Sequence, residues 1–130
     1  MSKLQVIPHE RIASSPRITK KMFKMVMSLS RNPQVVDLPV NANLCHCAVE
    51  GWKLGLWFEI RPPYETNVPV IYQLFVDGED IPSFAQHKAT LLREEIDARQ
   101  KVTGTAYHLF EFPRGSRILD PESGEVTTHD

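Results

Sequence analysis

The stretch "GWKLGLWFEIRPPYE", Gly51 to Glu65, decides how this chain is read. Taken with a period of two, Trp52, Leu54, Leu56, Phe58 and Ile60 fall on one side. Lys53, Gly55, Trp57, Glu59 and Arg61 fall on the other. A strand with one buried face has this alternation. Trp57 breaks it, because a large aromatic ring stands on the polar side. Either it touches a partner, or a second layer of the same protein covers it.

Working outward, most of the chain reads as short strands. In "RITKKMFKMVMSL" (Arg17–Leu29), Phe23, Met25, Met27 and Leu29 alternate with Lys24, Val26 and Ser28, although a short helix also fits its composition. "QVVDLP" (Gln34–Pro39) is a strand ended by its proline. "LCHCAVE" (Leu44–Glu50) places Cys45, Cys47 and Val49 on one face and Leu44, His46, Ala48 and Glu50 on the other. In "VPVIYQLFVD" (Val68–Asp77), Val70, Tyr72, Leu74 and Val76 oppose Ile71, Gln73 and Phe75, so this strand too has apolar residues on both faces. "TAYHLFEF" (Thr105–Phe112) is a strand. Between Ser83 and Lys101 two readings stay open. Propensity favours a helix with Ser83 as its N-cap; the alternative is a hairpin of Ala89–Ile96 and Val102–Phe112 joined near Asp97–Gln100. Residues 1–16 read as an irregular arm and 113–130 as a polar extension.

The expectation is a single domain spanning residues 1–130. It is mainly β, an antiparallel sheet or small β-sandwich, with at most one helix in 83–101; an α+β arrangement follows if that helix forms. Strands are expected near 18–28, 34–39, 44–50, 52–61, 68–77 and 105–112. Ten prolines among 130 residues interrupt nearly every segment and argue against long helices. No apolar run approaches a membrane span and no secretion signal is legible, so a cytosolic setting with reduced cysteines is expected. The charge is uneven. Residues 1–31 hold seven basic side chains against Glu10 alone, leaving eight basic and fifteen acidic residues for the rest. Arg17, Lys20, Lys21 and Lys24 form the centre of this basic arm, which either seeks an acidic partner or pairs with the acidic body of its own fold.

Gln34, Leu38-Pro39, Leu44, Leu56-Trp57, Phe75, Gly78, Ile81-Pro82, Ala89-Thr90 and His108-Leu109-Phe110-Glu111 together resemble the pattern of a family of small proteins of tailed bacteriophages and prophages. The resemblance covers roughly residues 18–112. It departs from the family at Asp77-Gly78-Glu79-Asp80, where Gly-Thr-Gly-His is frequent, and in a longer final hairpin loop. It implies a phage context and brings no catalytic residue with it.

Chemical constellations are sparse. In Cys45-His46-Cys47 the imidazole points away from the two thiols on a strand, and no second cysteine pair exists to complete a zinc site. Two small buried thiols are the simpler reading. No histidine is placed by sequence to activate a cysteine. Asp77, Glu79 and Asp80 lack the ordered ligand series of a calcium loop and read as a solvated turn. His108 reads either as a satisfied, half-buried histidine or as a site residue, with the former favoured. No metal or cofactor is expected.

The leading expectation is therefore a non-enzymatic phage accessory protein of the host cytoplasm that binds a macromolecular partner, a host protein first. A virion component, decorating a capsid or associated with a tail, is the alternative, followed by a protein that sequesters a small ligand or nucleotide. Nucleic-acid binding ranks last. Trp57, Arg61, Tyr64 and Phe75 are the expected partner-binding residues. For Trp57 itself, apolar second faces on two strands favour a covering layer, supplied by Phe23, Met25 or residues 83–101.

Overall fold

The period-two readings become strands in a computed structural model, which describes residues 19–62, 67–119 and 126–127. The elements are β1 (Lys21–Ser28), β2 (Gln34–Pro39), β3 (Asn43–Glu50), β4 (Lys53–Ile60), β5 (Asn67–Val76), β6 (Gln86–Ile96) and β7 (Val102–Glu111), followed by a short pair, β8 (Ile118–Leu119) and β9 (Val126–Thr127). Every pairing is antiparallel. There is no helix among the described residues.

The strands form a three-stranded sheet, β1-β4-β3, and a four-stranded sheet, β2-β5-β7-β6. Consecutive strands β1 and β2 belong to different sheets. One core lies between them, built from Met27, Leu54, Leu56 and Phe58 of the first sheet and Val36, Leu38, Val70, Tyr72, Leu74, Leu91 and Leu109 of the second. Phe58 and Tyr72 meet across the layers with ring centroids 6.4 Å apart. The chain is thus a small β-sandwich. Phe23 and Met25 point into this core, so they cannot be the cover for Trp57.

The helix reading of 83–101 is overturned in favour of the hairpin, β6–β7. Asp97 organises its turn: its carboxylate accepts from the N–H groups of Arg99 (2.8 Å) and Lys101 (2.9 Å). Its carbonyl accepts from Gln100 N–H, and Gln100 takes a left-handed φ of 61°. Helix-favouring residues gave way because Ala89 and Leu91 face the core at a spacing of two, which a helix cannot provide. Pro69 is tolerated inside β5 because β7 pairs only with Tyr72–Val76, beyond the proline.

Two local readings are corrected. Between Leu44 and His46 the β3–β4 register shifts by one residue. Cys45 is the extra residue, exposed in the bulge, and Leu44 turns to the core beside Cys47 and Val49. Only Cys47 is a partly buried thiol, and burial pushes its pKa up to about 11. Trp52 lies in the β3–β4 turn instead of the core; it is exposed and stacks on the Arg93 guanidinium at 3.5 Å.

Candidate functional site

Trp57 is half-buried, and its cover comes from its own sheet. The indole folds over Gly55: a Cβ on that glycine would meet Trp57 Cζ3 at 2.9 Å. Lys24 Nζ sits over the ring, 4.8 Å from its centroid, and His46 packs at 5.2 Å. The Lys24 ammonium is itself held by Glu50 at 2.7 Å. The ring therefore satisfies long polar neighbours on a solvent-facing sheet surface.

The other expected binding residues do not join it. Phe75 is only 5% exposed and lies on the outer face of the opposite sheet, edge-on to Phe110 at 5.5 Å. Arg61 is exposed past the end of β4, where its carbonyl accepts from Asn41 Nδ2. Tyr64 and Arg17 lie outside the described residues. Lys20, Lys21 and Lys24 lie at or within β1. Lys20 pairs with Glu59 at 3.1 Å, Lys24 with Glu50, and Arg31 with Glu79, so three cations of the basic segment meet acids of the same fold. The Arg31 guanidinium, and after it the Val76 N–H that Glu79 also accepts, hold the Glu79 carboxyl below the usual range.

The residues that come together lie on the outer face of the four-stranded sheet. Register fixes its rows. Ile71 of β5 meets Phe112, which follows β7, through the Phe112 N–H to Ile71 carbonyl bond. Gln73 faces Phe110 and His87; Phe75 faces His108 and Thr90. Leu92 then faces Ala106, Glu94 faces Gly104 and Ile96 faces Val102. Ile71 and Phe75 are buried yet stand outside the main core, which makes this face a second apolar layer.

A hydrogen-bonded chain crosses the middle of the face. His108 Nε2 lies 2.6 Å from Asp77 Oδ1, His108 Nδ1 lies 3.0 Å from Thr90 Oγ1, and Thr90 Oγ1 lies 2.9 Å from His87 Nε2. A carboxylate only accepts, so Nε2 of His108 donates to it. Nδ1 of a neutral ring then accepts the Thr90 hydroxyl proton, and His87 Nε2 donates to the hydroxyl oxygen. The order acid, imidazole, hydroxyl matches a nucleophilic triad. Here, however, the second imidazole engages the hydroxyl from the far side, and the chain ties the end of β5 to β7 and β6. His87 also packs edge-on to Phe110 at 5.2 Å.

On either side of this tie the face changes character. Toward the β6–β7 turn, Leu92, Ile96 and Val102 are 70%, 68% and 60% exposed. Toward the chain's C-terminal end, Pro33, Ile71, Gln73, Phe84, Phe112, Ser116, Arg117 and Ile118 enclose a cleft of about 300 Å³. From the sequence, Phe75 alone of this face is expected to bind a partner, and 113–130 reads as a polar extension. The signal available was the alternation His108, Phe110, Phe112 and the pair Thr90, Leu92; His87 joins this face only because the register shifts between His87 and Ala89. Among the described residues, no three His, Cys, Asp or Glu side chains group as a metal site.

The architecture defines a two-layer antiparallel β-sandwich with an aromatic and imidazole-bearing outer face. No family model matches the chain, and neither a curated protein nor a solved structure matches it.

Proposed function

We propose that this protein is a non-enzymatic binding module that holds a protein partner on the outer face of its four-stranded sheet. The observation that carries this reading is the exposure of Leu92, Ile96 and Val102 on this face, with Leu92 next to the Thr90 and His108 row and Glu94 between Leu92 and Ile96. Exposed apolar side chains aligned on one strand pair, next to a structured polar tie, are what a partner would desolvate. The phage resemblance of residues 18–112 supports an accessory role, with a host cytoplasmic protein as the partner. We place the anchor on this face and not at Trp57, whose ring is partly covered by Lys24 and His46 and lies over Gly55.

The test is affinity capture from host cells with wild type, Leu92→Glu/Ile96→Glu and Trp57→Ala proteins, each checked for folding by thermal melting. A host protein held by wild type and Trp57→Ala at equal level, and lost from the double variant, is the expected result. Retention unchanged by the double variant overturns the assignment of this face.

A further inference from the structure

The cleft at the C-terminal end of the same face has a more specific chemistry than the apolar run. Its lining is mainly apolar: Ile71 and Phe112 with Pro33, Ile118 and Phe84. Phe84 stands edge-on to Phe112 at 5.8 Å and is 61% exposed, so much of its ring is free to be covered. Three polar residues break the lining: Ser116, whose hydroxyl donates to the Pro113 carbonyl, Arg117 and Gln73. Arg117 is exposed and makes no ion pair among the described residues. Gln73 donates its amide N–H to the Arg31 carbonyl at 3.1 Å, which fixes the amide and leaves Oε1 as an acceptor. At about 300 Å³ the cleft is at the small end of ligand sites, room for one ring system and its backbone.

We propose that this cleft binds the C-terminal aromatic residue of a protein partner. The ring enters against Phe84, Phe112 and Ile71, in the offset or edge-on geometry aromatic rings prefer. The terminal carboxylate meets the planar fork of Arg117, and the backbone N–H of the same residue donates to Gln73 Oε1. The apolar lining calls for the ring, the guanidinium without an ion pair among the described residues for the anion, and the remaining acceptor of the Gln73 amide for the donor. A chain terminus supplies all three within one residue. This proposal rests on the reading of the outer face as a protein-binding surface and names the group that anchors there.

The experiment uses the full chain, labelled with ¹⁵N, titrated with N-acetyl-L-tryptophan and separately with N-acetyl-L-tryptophanamide. The expected result is saturable shifts centred on the amides of Ile71, Gln73, Phe84, Phe112 and Arg117. The neutral amide should bind about tenfold more weakly, and Arg117→Gln should reduce the acid to the level of the amide. A wild-type-like spectrum of Arg117→Gln shows that its fold is intact; Phe84→Ala gives an independent variant that should weaken both probes. No saturable shift at millimolar probe, shifts centred elsewhere, or equal binding of acid and amide each overturn the proposal. Failure here is separable from failure of the broader reading. A captured partner that is lost from Leu92→Glu/Ile96→Glu but retained by Arg117→Gln and Phe84→Ala keeps the face and removes the cleft.

Discussion

The two outer faces of this sandwich answer the same problem differently. Each carries a large aromatic residue on the side away from the main core: Trp57 on the three-stranded sheet and Phe75 on the four-stranded sheet. Trp57 is half-covered by residues beside it in the sheet, Lys24 on β1 and His46 on β3, and its ring lies over buried Gly55. Phe75 is covered far more fully, on a face where Phe110, His108 and the chain around Phe84 and Phe112 build a second layer. A lone ring can be managed by snorkelling polar side chains; a row of rings needs another layer or a partner.

The sharpest way to break this comparison is to remove both rings. Phe75→Ala should cost about 3 kcal/mol, as for a buried phenylalanine. Trp57→Ala should cost about 1–2 kcal/mol, because its polar neighbours stay solvated. Urea denaturation of the two variants measures this, and equal losses would mean that the faces are alike. Gly55→Val sharpens it further. The added side chain meets the indole and both Lys24 and Glu50, so Trp57 should lift off the sheet, at a cost of about 1 kcal/mol. A red shift of tryptophan emission, absent in the Trp57→Phe background, reports the change.

On the other face, Thr90→Val removes the hydroxyl between His87 and His108 and should cost about 1 kcal/mol or less. The His108 to Asp77 bond should survive, seen as an unchanged Nε2 proton environment by NMR. The smallest effect concerns the thiols of β3. At pH 8, iodoacetamide should alkylate exposed Cys45 and leave Cys47 largely unreacted in the folded chain, read by mass spectrometry after tryptic digestion. Burial pushes the Cys47 thiol up to about 11, against 9.0 for an ordinary cysteine. The fold thus favours its protonated form, and that contribution to stability declines as pH rises above about 9.

Much of the fold was legible. Val36, Leu38, Leu54, Leu56, Phe58, Val70, Tyr72 and Leu74 lie on the faces that a period of two assigns them, all of them in the core. Less of the site was. Phe75 was singled out from its sequence, but its partners His108 and Thr90 lie about 30 and 15 residues away, and only strand pairing unites them. The half-cover of Trp57 was not legible either, because the glycine beneath it and the lysine above it carry no marker of contact in the sequence.

Sequence alone determined that this chain is a set of short strands, because side-chain alternation is a local property of extended backbone. Its prolines and turn residues set where those strands stop. Tertiary structure decided which sheet each strand joins, and it chose the hairpin over the helix for residues 83–101, since the pairing of β6 with β7 outweighs the modest preference of Lys, Leu, Arg and Glu for helix. It also decided the faces of β3, where one extra residue at Cys45 sends Leu44 inward, because a single-residue shift in a strand exchanges its two sides.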